Sequence, residues 1–455
     1  MVWIYGGGFQ EGMAEGPLEI YDASYYASVH QVVVVSLNYR LGVYGFLVTD
    51  EIRGNMGILD QRLALQWVQS NIAKFSGDPK RVTIFGESAG AMSVGLHIMS
   101  PGSRGLFKQA IIQSNPVGLR YMTADRAAIV GREFCRQAQC LNAAGQCDTK
   151  CIQLADPEVV AHASKAATGN LTVYWEANHD HLLDGILGFK PTLDGDDFPM
   201  QILDYLSSPR FAQDHPDIRV MVGSTSDEAV PFVAPKKMPD KPLPMSLYSI
   251  VMPLMLGAER GTTVSLYYTP KYKDALLAFI QTMTDLLFRC SSHHFAAATA
   301  LVNGNSYVYH YAHVFSQTQL WQNFGFPELC EKAVCHTAEL PFVFYKTNAT
   351  SVNPPVTVQM TPEEQKFSRQ IVQYWANFAH TGNPNYPGSA PTVEDTPFWP
   401  KYDNSTRQNI RLEAGNITTE DTVALCSMWD KVGYNVLVSN ARRAMRLLEA
   451  ASLKH

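Results

Sequence analysis

Along the first quarter of the chain, short segments with the hydrophobic pattern of strands alternate with longer segments that have the periodicity of helices. Short apolar runs, typical of buried strands, occupy residues 32–39 (VVVVSLNY), 81–86 (RVTIFG) and 108–114 (KQAIIQS). Longer stretches at residues 59–75 and 88–100 repeat apolar residues at helical spacing. Because strands and helices alternate, the pattern predicts an α/β fold with a mostly parallel central sheet and helices on both faces.

The later part of the chain extends this organisation. Residues 218–225 (IRVMVGST) and 306–313 (SYVYHYAH) predict two more strands, and the mostly helical residues 236–300 between them predict an insertion within one domain of residues 1–455. A basic amphipathic stretch at residues 441–455 predicts a terminal helix packed on the body. In the early helix of residues 59–75, we expect the buried face to contain Leu59, Leu63, Trp67, Val68, Ile72 and Phe75.

Composition narrows the class of protein. The 455 residues are 46% hydrophobic, which is enough for a large core. A net charge of -6 without a basic stripe argues against a nucleic-acid partner. No apolar run reaches the roughly 18 residues of a membrane helix, so we expect no membrane span. The oligomeric state stays open.

The cysteines and glycosylation triplets indicate a secretory or lysosomal protein. The eight cysteines form an even, clustered set, which favours disulfides over a zinc site because the close C-x-x-C pairs usual for zinc are absent. Four N-x-S/T triplets predict glycosylation at Asn170, Asn348, Asn404 and Asn416. No signal peptide follows Met1, and the chain opens on a strand-like run, VWIY, and three glycines. We therefore expect it to begin inside a longer protein.

The strongest chemical signal is GESAG at residues 86–90. It lies between a predicted strand and a predicted helix, which is the context of a nucleophile elbow. Small residues must flank Ser88 because strand and helix approach closely at such a turn. The Ser88 hydroxyl is then placed at a helix N-terminus, where free N–H groups stabilise negative charge.

A serine nucleophile needs a base and an acid later in the chain. Asp227 and Glu228 both follow the strand of residues 218–225, and the pattern leaves either as the acid. His336 lies in a loop between a cysteine and an apolar run, and this setting favours it as the base. Other histidines compete with it. His310 and His313, within or beside the strand of residues 306–313, are expected to pack or face solvent. The remaining candidates are expected to be surface or helix histidines; they are His179, His181, His293 and His294.

The chain resembles the type-B carboxylesterases, an α/β-hydrolase family that includes the cholinesterases and the non-catalytic neuroligins. The matching stretches are VWIYGGGF, LNYRLGVYGFL, GNMGILDQRLALQWVQSNIAKFSGDPKRVTIFGESAG, GLFKQAIIQS and CHTAELPFVF. They are near-continuous over residues 1–115 and recur as islands to about residue 430. The resemblance implies an α/β-hydrolase that acts on small-molecule carboxylic esters without a metal or organic cofactor.

The resemblance also assigns roles to individual residues. It implies Ser88 as nucleophile, Glu228 rather than Asp227 as acid, and His336 as base. Gly7, Gly8 and Ala89 match the oxyanion donors, Ser114 a serine near the acid–base pair, and Glu87 an acidic neighbour of the nucleophile, whereas Gly6 is expected to serve the turn. It further implies the disulfides Cys140–Cys151 and Cys290–Cys426, which leaves Cys135–Cys147 and Cys330–Cys335 to pair by elimination.

Two alternative functions stay open. A cholinesterase would carry an aromatic pair at the third and fourth positions after the acid, where this chain has Pro231 and Phe232. The choline-binding tryptophan of that family would precede residue 1. A catalytically silent adhesion or binding protein would lack part of the triad, and here Ser88, Glu228 and His336 are all present.

Overall fold

A mostly parallel sheet forms the centre of the molecule. The structure is a computed structural model that describes residues 1–169, 187–318, 320–321, 325–352, 355–385 and 396–434. Within these residues the sheet has the order β12-β11-β8-β7-β4-β3-β1-β2. Its strands are β1 Val2–Ile4, β2 Val35–Ser36, β3 Thr83–Glu87, β4 Gln109–Gln113, β7 Arg219–Thr225, β8 Ser306–Tyr311, β11 Gln408–Leu412 and β12 Thr418–Asp421. All neighbours pair in parallel except β11 and β12.

Two further strand pairs lie outside this sheet. The strands β5 Met122–Thr123 and β6 Thr192–Leu193 pair in parallel, and β9 Asn348–Val352 and β10 Pro355–Gln359 form an antiparallel pair.

Helices connect the strands and cover the sheet. The early α-helices are α1 Ser24–His30, α2 Gly42–Phe46, α3 Met56–Asn71, α4 Ala89–Met99, α5 Ala124–Gln137, α6 Thr149–Leu154 and α7 Pro157–Gly169. The later ones are α8 Ile202–Leu206, α9 Pro209–Asp214, α10 Val230–Val233, α11 Met245–Leu256, α12 Ala258–Tyr268, α13 Ala275–Thr284, α14 Cys290–Asn303, α15 Leu340–Val343, α16 Pro362–Thr381 and α17 Val423–Val432. Short 3-10 helices lie at Pro17–Glu19, Ile72–Phe75, Pro79–Arg81, Pro101–Ser103 and Glu328–Glu331.

The register of the parallel strands gathers their carboxyl ends at one edge. Ile4 lies opposite Gly86, Glu87 opposite Gln113, and Gln113 opposite Gly223. The loops that follow β1, β3, β4 and β7 therefore begin side by side. Ligand sites of α/β sheets form at this edge, and all the residues expected to act in chemistry follow one of these strands or approach them.

The strand at residues 32–39 is shorter than predicted. Only Val35 and Ser36 pair, with Val2 and Trp3 of β1, and Ser36 is exposed. The prediction of a buried strand was wrong for most of this run, because β2 is the outermost strand of the described sheet and has a partner on one side only.

The buried face of α3 also differs from the prediction. Leu63 is 66% exposed and Trp67 47%, whereas Gln61 is fully buried. Gln61 is accommodated because its amide donates to the Ser93 hydroxyl and its carbonyl contacts His97. Hydrophobic spacing alone therefore did not predict the buried face of α3, which is formed by Ile58, Gln61, Leu65 and Val68.

A helical run precedes β8. The helices α13 and α14 are joined by one π-helical turn at Asp285–Arg289, and α14 packs against β7 and β8. Such turns insert an extra residue into a helix and often lie at functional sites. Here the turn brings Phe288 towards His336, with ring centroids 5.3 Å apart.

Four disulfides join all the cysteines. The pairs are Cys135–Cys147, Cys140–Cys151, Cys290–Cys426 and Cys330–Cys335. Two of them are the pairs that the resemblance implied, and the other two are those left by elimination. The terminal helix predicted at residues 441–455 lies outside the described residues.

Candidate active site

Ser88 lies in a strained turn between β3 and α4. Its backbone has φ 57° and ψ -122°, a conformation that non-glycine residues adopt only where the surroundings impose it. The Ser88 N–H donates to Gln113 O at 3.0 Å, which ties the turn to β4. A Cβ atom on Gly90 would lie 1.9 Å from Ile4 O, so this position must be glycine for α4 to approach β1.

The glycine run after β1 lies against this turn. Gly7 has φ +99° and Gly8 φ +61°, and Gly7 O accepts the N–H groups of Gln10 and Glu11 at 3.0 and 3.1 Å. Gly7 and Gly8 are at least partly exposed.

Gly6 packs directly against the turn of Ser88. A Cβ atom there would lie 2.8 Å from Glu87 O and 2.9 Å from the Ser88 Cβ. Its missing side chain makes room for the candidate nucleophile.

Ala89 is the first residue of α4. The first N–H groups of a helix have no intrahelical acceptor, so the Ala89 N–H is a donor directly beside the Ser88 hydroxyl. Backbone N–H donors of this kind are suited to stabilising an oxyanion.

Glu228 and His336 meet at the sheet edge. His336 Nδ1 lies 2.5 Å from Glu228 Oε2, and the Thr225 N–H donates to Glu228 Oε1 at 2.6 Å. Both side chains are buried. Because an ionised carboxylate only accepts, this contact places the imidazole proton on Nδ1 and leaves Nε2 as the basic nitrogen.

The basic nitrogen of His336 faces Glu87. The distance from Nε2 to Glu87 Oε1 is 3.0 Å, but among the described residues Nε2 has no hydrogen-bond partner, neither Glu87 nor the Ser88 hydroxyl. Burial raises the pKa of Glu87 well above its ordinary value. Burial also disfavours the His336 imidazolium, but the charges of Glu87 and Glu228 outweigh it and raise the pKa of His336.

Three further side chains surround His336, and of these the sequence reasoning missed Glu339 and Phe288 and named Phe232 only as part of an aromatic pair. Glu339 is buried and accepts from the Gln113 amide at 3.3 Å, and burial together with the charge of Glu228 raises its pKa to about 7. The sequence feature that could have identified Glu339 is an acidic residue three positions after His336. The rings of Phe232 and Phe288 flank the imidazole, with centroids 5.1 and 5.3 Å from it.

Ser114 follows β4 and, like Ser88, has a positive φ, of 51°. Its N–H donates to Gly223 O at 2.8 Å. Its hydroxyl is buried and makes no hydrogen bond to any described residue. The structure therefore places Ser114 at the sheet edge between the turn of Ser88 and the loop of Glu228.

The competing histidines have other partners. His310 is buried between the Ser226 hydroxyl and Glu420, at 2.8 and 2.7 Å, and His313 contacts Glu364 at 3.1 Å. His293 and His294 both lie in α14, where His293 is buried. His179 and His181 lie outside the described residues.

The asparagines of three predicted glycosylation triplets are exposed: Asn348, Asn404 and Asn416. Asn170 lies outside the described residues.

In the described part of the chain, no cluster of three or more histidine, cysteine or carboxylate side chains is arranged to hold a metal ion. A helix with the length and apolarity to cross a membrane is likewise absent from the described ranges.

Comparison with known proteins extends over nearly the whole chain. The model of a family described as the carboxylesterase family matches residues 1–429. A Dictyostelium discoideum protein named crystal protein is 33% identical over 454 residues, which cover 97% of this chain and 75% of that protein. An acetylcholinesterase of Bungarus fasciatus is 31% identical over 461 residues, which cover 94% of this chain and 68% of the enzyme.

An acetylcholinesterase of Danio rerio is also 31% identical, over 483 residues that cover 95% of this chain and 71% of the enzyme. Among solved structures, one named PNB esterase superposes with a TM-score of 0.70 at 30% sequence identity. That superposition covers 95% of this chain and 81% of the esterase.

Proposed function

The chain belongs to the carboxylesterase family, and from that premise we propose that it hydrolyses carboxylic esters by two-step acyl transfer. The family resemblance and the α/β-hydrolase fold that the sequence predicted are both confirmed by these matches. Membership supports ester hydrolysis as the general activity, with a small-molecule ester as substrate. The residues and steps given below are our proposal.

The observation that carries the proposal is the contact between Glu228 and His336 beside the turn of Ser88. A carboxylate at 2.5 Å from Nδ1 fixes the imidazole tautomer and orientation. A serine in a strained turn at a helix N-terminus is the nucleophile that such a pair activates. All three side chains belong to loops at the carboxyl edge of one parallel sheet.

In the first step, His336 Nε2 takes the Ser88 proton while Oγ attacks the ester carbonyl carbon. This contact requires Nε2 to exchange Glu87 for the Ser88 hydroxyl, and unliganded enzymes often have loose catalytic hydrogen bonds that tighten with substrate. The carbonyl oxygen gains the negative charge, and the N–H groups of Gly7, Gly8 and Ala89 stabilise it. One such donor contributes about 3–4 kcal/mol in enzymes of this chemistry.

The tetrahedral intermediate then collapses. The bond to the alcohol oxygen breaks, the His336 imidazolium gives its proton to that oxygen, and the acyl group stays on Ser88. In the second step His336 takes a proton from water as the water oxygen attacks the acyl carbon. The bond between the acyl carbon and Ser88 Oγ then breaks, the His336 imidazolium returns its proton to Oγ, and the carboxylic acid leaves.

Hydrolysis of p-nitrophenyl acetate tests the proposal. We expect the wild-type chain to release p-nitrophenolate, and Ser88→Ala to lose at least about 10³-fold in kcat/KM because no other group replaces the nucleophile. Ser70→Ala is the matched control, since Ser70 is an exposed serine on α3. Unchanged turnover in Ser88→Ala would exclude the assigned nucleophile.

The cholinesterase alternative is supported by the two acetylcholinesterase relatives and opposed by Pro231, which replaces one member of the expected aromatic pair. Comparison of butyrylthiocholine with an uncharged butyryl thioester separates the two readings. A carboxylesterase hydrolyses the uncharged thioester at least as well. A strong preference for the choline ester would support the cholinesterase instead.

The binding-protein alternative predicts no turnover of either thioester or of p-nitrophenyl acetate.

We also propose that the protein is glycosylated and passes through the secretory pathway. Four disulfides and three exposed triplet asparagines support this location. Enzymatic removal of N-glycans from protein made in a eukaryotic secretory host should lower its mass. The shift should shrink stepwise when Asn348, Asn404 and Asn416 are replaced by Gln.

A further inference from the structure

Asp227 makes hydrogen bonds to both the N–H and the C=O of Val334, a residue in the loop of His336. The Asp227 N–H donates to Val334 O at 3.0 Å, and the Val334 N–H donates to Asp227 Oδ2 at 2.9 Å. The Asp227 N–H bond belongs to an isolated parallel bridge between the backbones of Asp227 and Cys335, and the Oδ2 bond adds a side-chain contact to it. We call this set of contacts the Asp227 bridge.

The bridge aligns the proposed acid and base. The residue after Asp227 is Glu228, and the residue after Cys335 is His336. In parallel pairing, residues that follow a bridged pair lie opposite each other, so the bridge sets the register in which Glu228 Oε2 reaches His336 Nδ1 at 2.5 Å. A slip by one residue would separate the two side chains.

The loop of His336 is also restrained close to Val334. Cys335 is bonded to Cys330, and both sulfurs are buried. The Ala338 N–H donates to Cys335 O at 3.0 Å. The Val334 N–H takes part in neither of these restraints, and its acceptor is the Asp227 carboxylate.

We propose that Asp227 is a positioning residue for His336: its carboxylate holds Val334 and thereby holds the imidazole against Glu228. The inference rests on the proposed function, because it concerns the same acid–base pair. Asp227 does not touch the reacting atoms. The sequence had left it as an alternative to Glu228 as the acid, and the structure separates the two roles by directing Glu228 to the imidazole and Asp227 to the backbone.

A general loosening of the loop that holds Glu228 is the competing explanation. That loop has other anchors: the Ser226 hydroxyl contacts His310 at 2.8 Å, and the Ala229 N–H donates to the Thr284 hydroxyl at 3.1 Å. These anchors connect the loop to β8 and α13, and neither reaches the loop of His336. Ser226→Ala is therefore a matched control that removes one anchor next to Asp227 and leaves the bridge in place.

The experiment compares Asp227→Ala, Asp227→Asn and Ser226→Ala on p-nitrophenyl acetate. An Asn side chain still accepts from the Val334 N–H, whereas Ala does not. We expect Asp227→Ala to lower kcat about 10–100-fold with KM within about twofold, since small misplacements of a catalytic group have effects of this size. Asp227→Asn and Ser226→Ala should stay within about threefold of the wild type.

Two measurements separate positioning from misfolding. The number of reactive sites is titrated to its end point with a fluorophosphonate, so that kcat refers to folded protein only. The acid limb of the kcat/KM profile should move to lower pH in Asp227→Ala, because an imidazole displaced from Glu228 loses part of the charge that raises its pKa. Glu87, Glu228 and Glu339, which face the imidazole, are retained in every variant.

The outcomes are decisive in both directions. A loss of kcat and a shifted acid limb in Asp227→Ala, both restored in Asp227→Asn, establish positioning through the hydrogen bond. Wild-type kcat in Asp227→Ala overturns the inference, as does an equal loss in Asp227→Asn or in Ser226→Ala. Failure of the proposed function is visible separately, because Ser88→Ala would then keep its activity whatever Asp227 does.

Discussion

The disulfide between Cys290 and Cys426 should contribute more to stability than any local one. It joins the start of α14 to α17 across a sequence separation of 136, whereas Cys140 and Cys151 are 11 residues apart. A cross-link lowers the entropy of the unfolded chain by an amount that grows with the logarithm of the enclosed loop. At 25 °C this gives about 5 kcal/mol for the long loop and about 3 kcal/mol for the short one.

Burial acts in the same direction. Both cysteines of the long-range pair are fully buried, so their replacement by Ala also removes packed sulfur from the core. Cys151 of the local pair is only partly buried. The difference of about 2 kcal/mol between the two deletions is therefore a lower bound.

The assay is thermal unfolding of two double variants, Cys290→Ala/Cys426→Ala and Cys140→Ala/Cys151→Ala, followed by circular dichroism. Replacing both cysteines of a pair avoids a free thiol. With an unfolding entropy of ~2.1 cal/mol/K per residue, Tm should fall by ~5 °C for the long-range pair and ~3 °C for the local pair. An equal or smaller decrease for the long-range pair would refute the reasoning from loop entropy.

Three other outcomes follow from single positions. Gly90→Ala should lower Tm and esterase activity together, because its Cβ would lie 1.9 Å from Ile4 O, whereas Gly169→Ala, whose Cβ would meet no atom of the described residues within 4 Å, should change neither. Glu87→Gln should move the acid limb of the pH–rate profile to lower pH, because it removes a charge that raises the pKa of His336; an unmoved limb would contradict this. Burial disfavours the Glu364 carboxylate, but hydrogen bonds from His313, Ser316 and Thr361 outweigh it and lower its pKa from 4.5 to about 2. Its stabilisation should be complete above pH ~4.5 and disappear as pH falls towards ~2, so the difference in unfolding free energy between wild type and Glu364→Gln should vanish there.

Local patterns were sufficient for the strand–turn–helix units. The run of residues 81–100 predicts a strand, a tight turn and a helix, and the structure has β3, Ser88 and α4 in that order. Such units are encoded locally because small residues, apolar period and turn geometry all lie within about twenty positions. The pattern left the acid open between Asp227 and Glu228, and the family resemblance, not the spacing, favoured Glu228.

Local patterns failed where distant contacts decide which side of an element is buried. Gln61 is buried because its amide N–H donates to the Ser93 hydroxyl and its carbonyl oxygen contacts His97, both on α4. The opposite face of α3, with Leu63 and Trp67, is therefore exposed. The run of residues 32–39 is only briefly a strand because it lies at the margin of the described sheet. In both cases the segment is as hydrophobic as its predicted element requires. Which of its residues are buried depends on neighbours that are distant in the sequence, and the segment alone does not specify these neighbours.

By itself, then, the sequence determined the alternating architecture, the glycine-flanked turn of Ser88 and the set of chemical groups available around it. Only the tertiary structure decided which of these groups contact each other. Glu228 contacts Nδ1 of His336, and Glu87 lies next to Nε2. Asp227 accepts from the backbone N–H of Val334. The physical reason is distance along the chain. Contacts across about a hundred residues or more depend on how the strands order in the sheet, and that order results from packing the whole core.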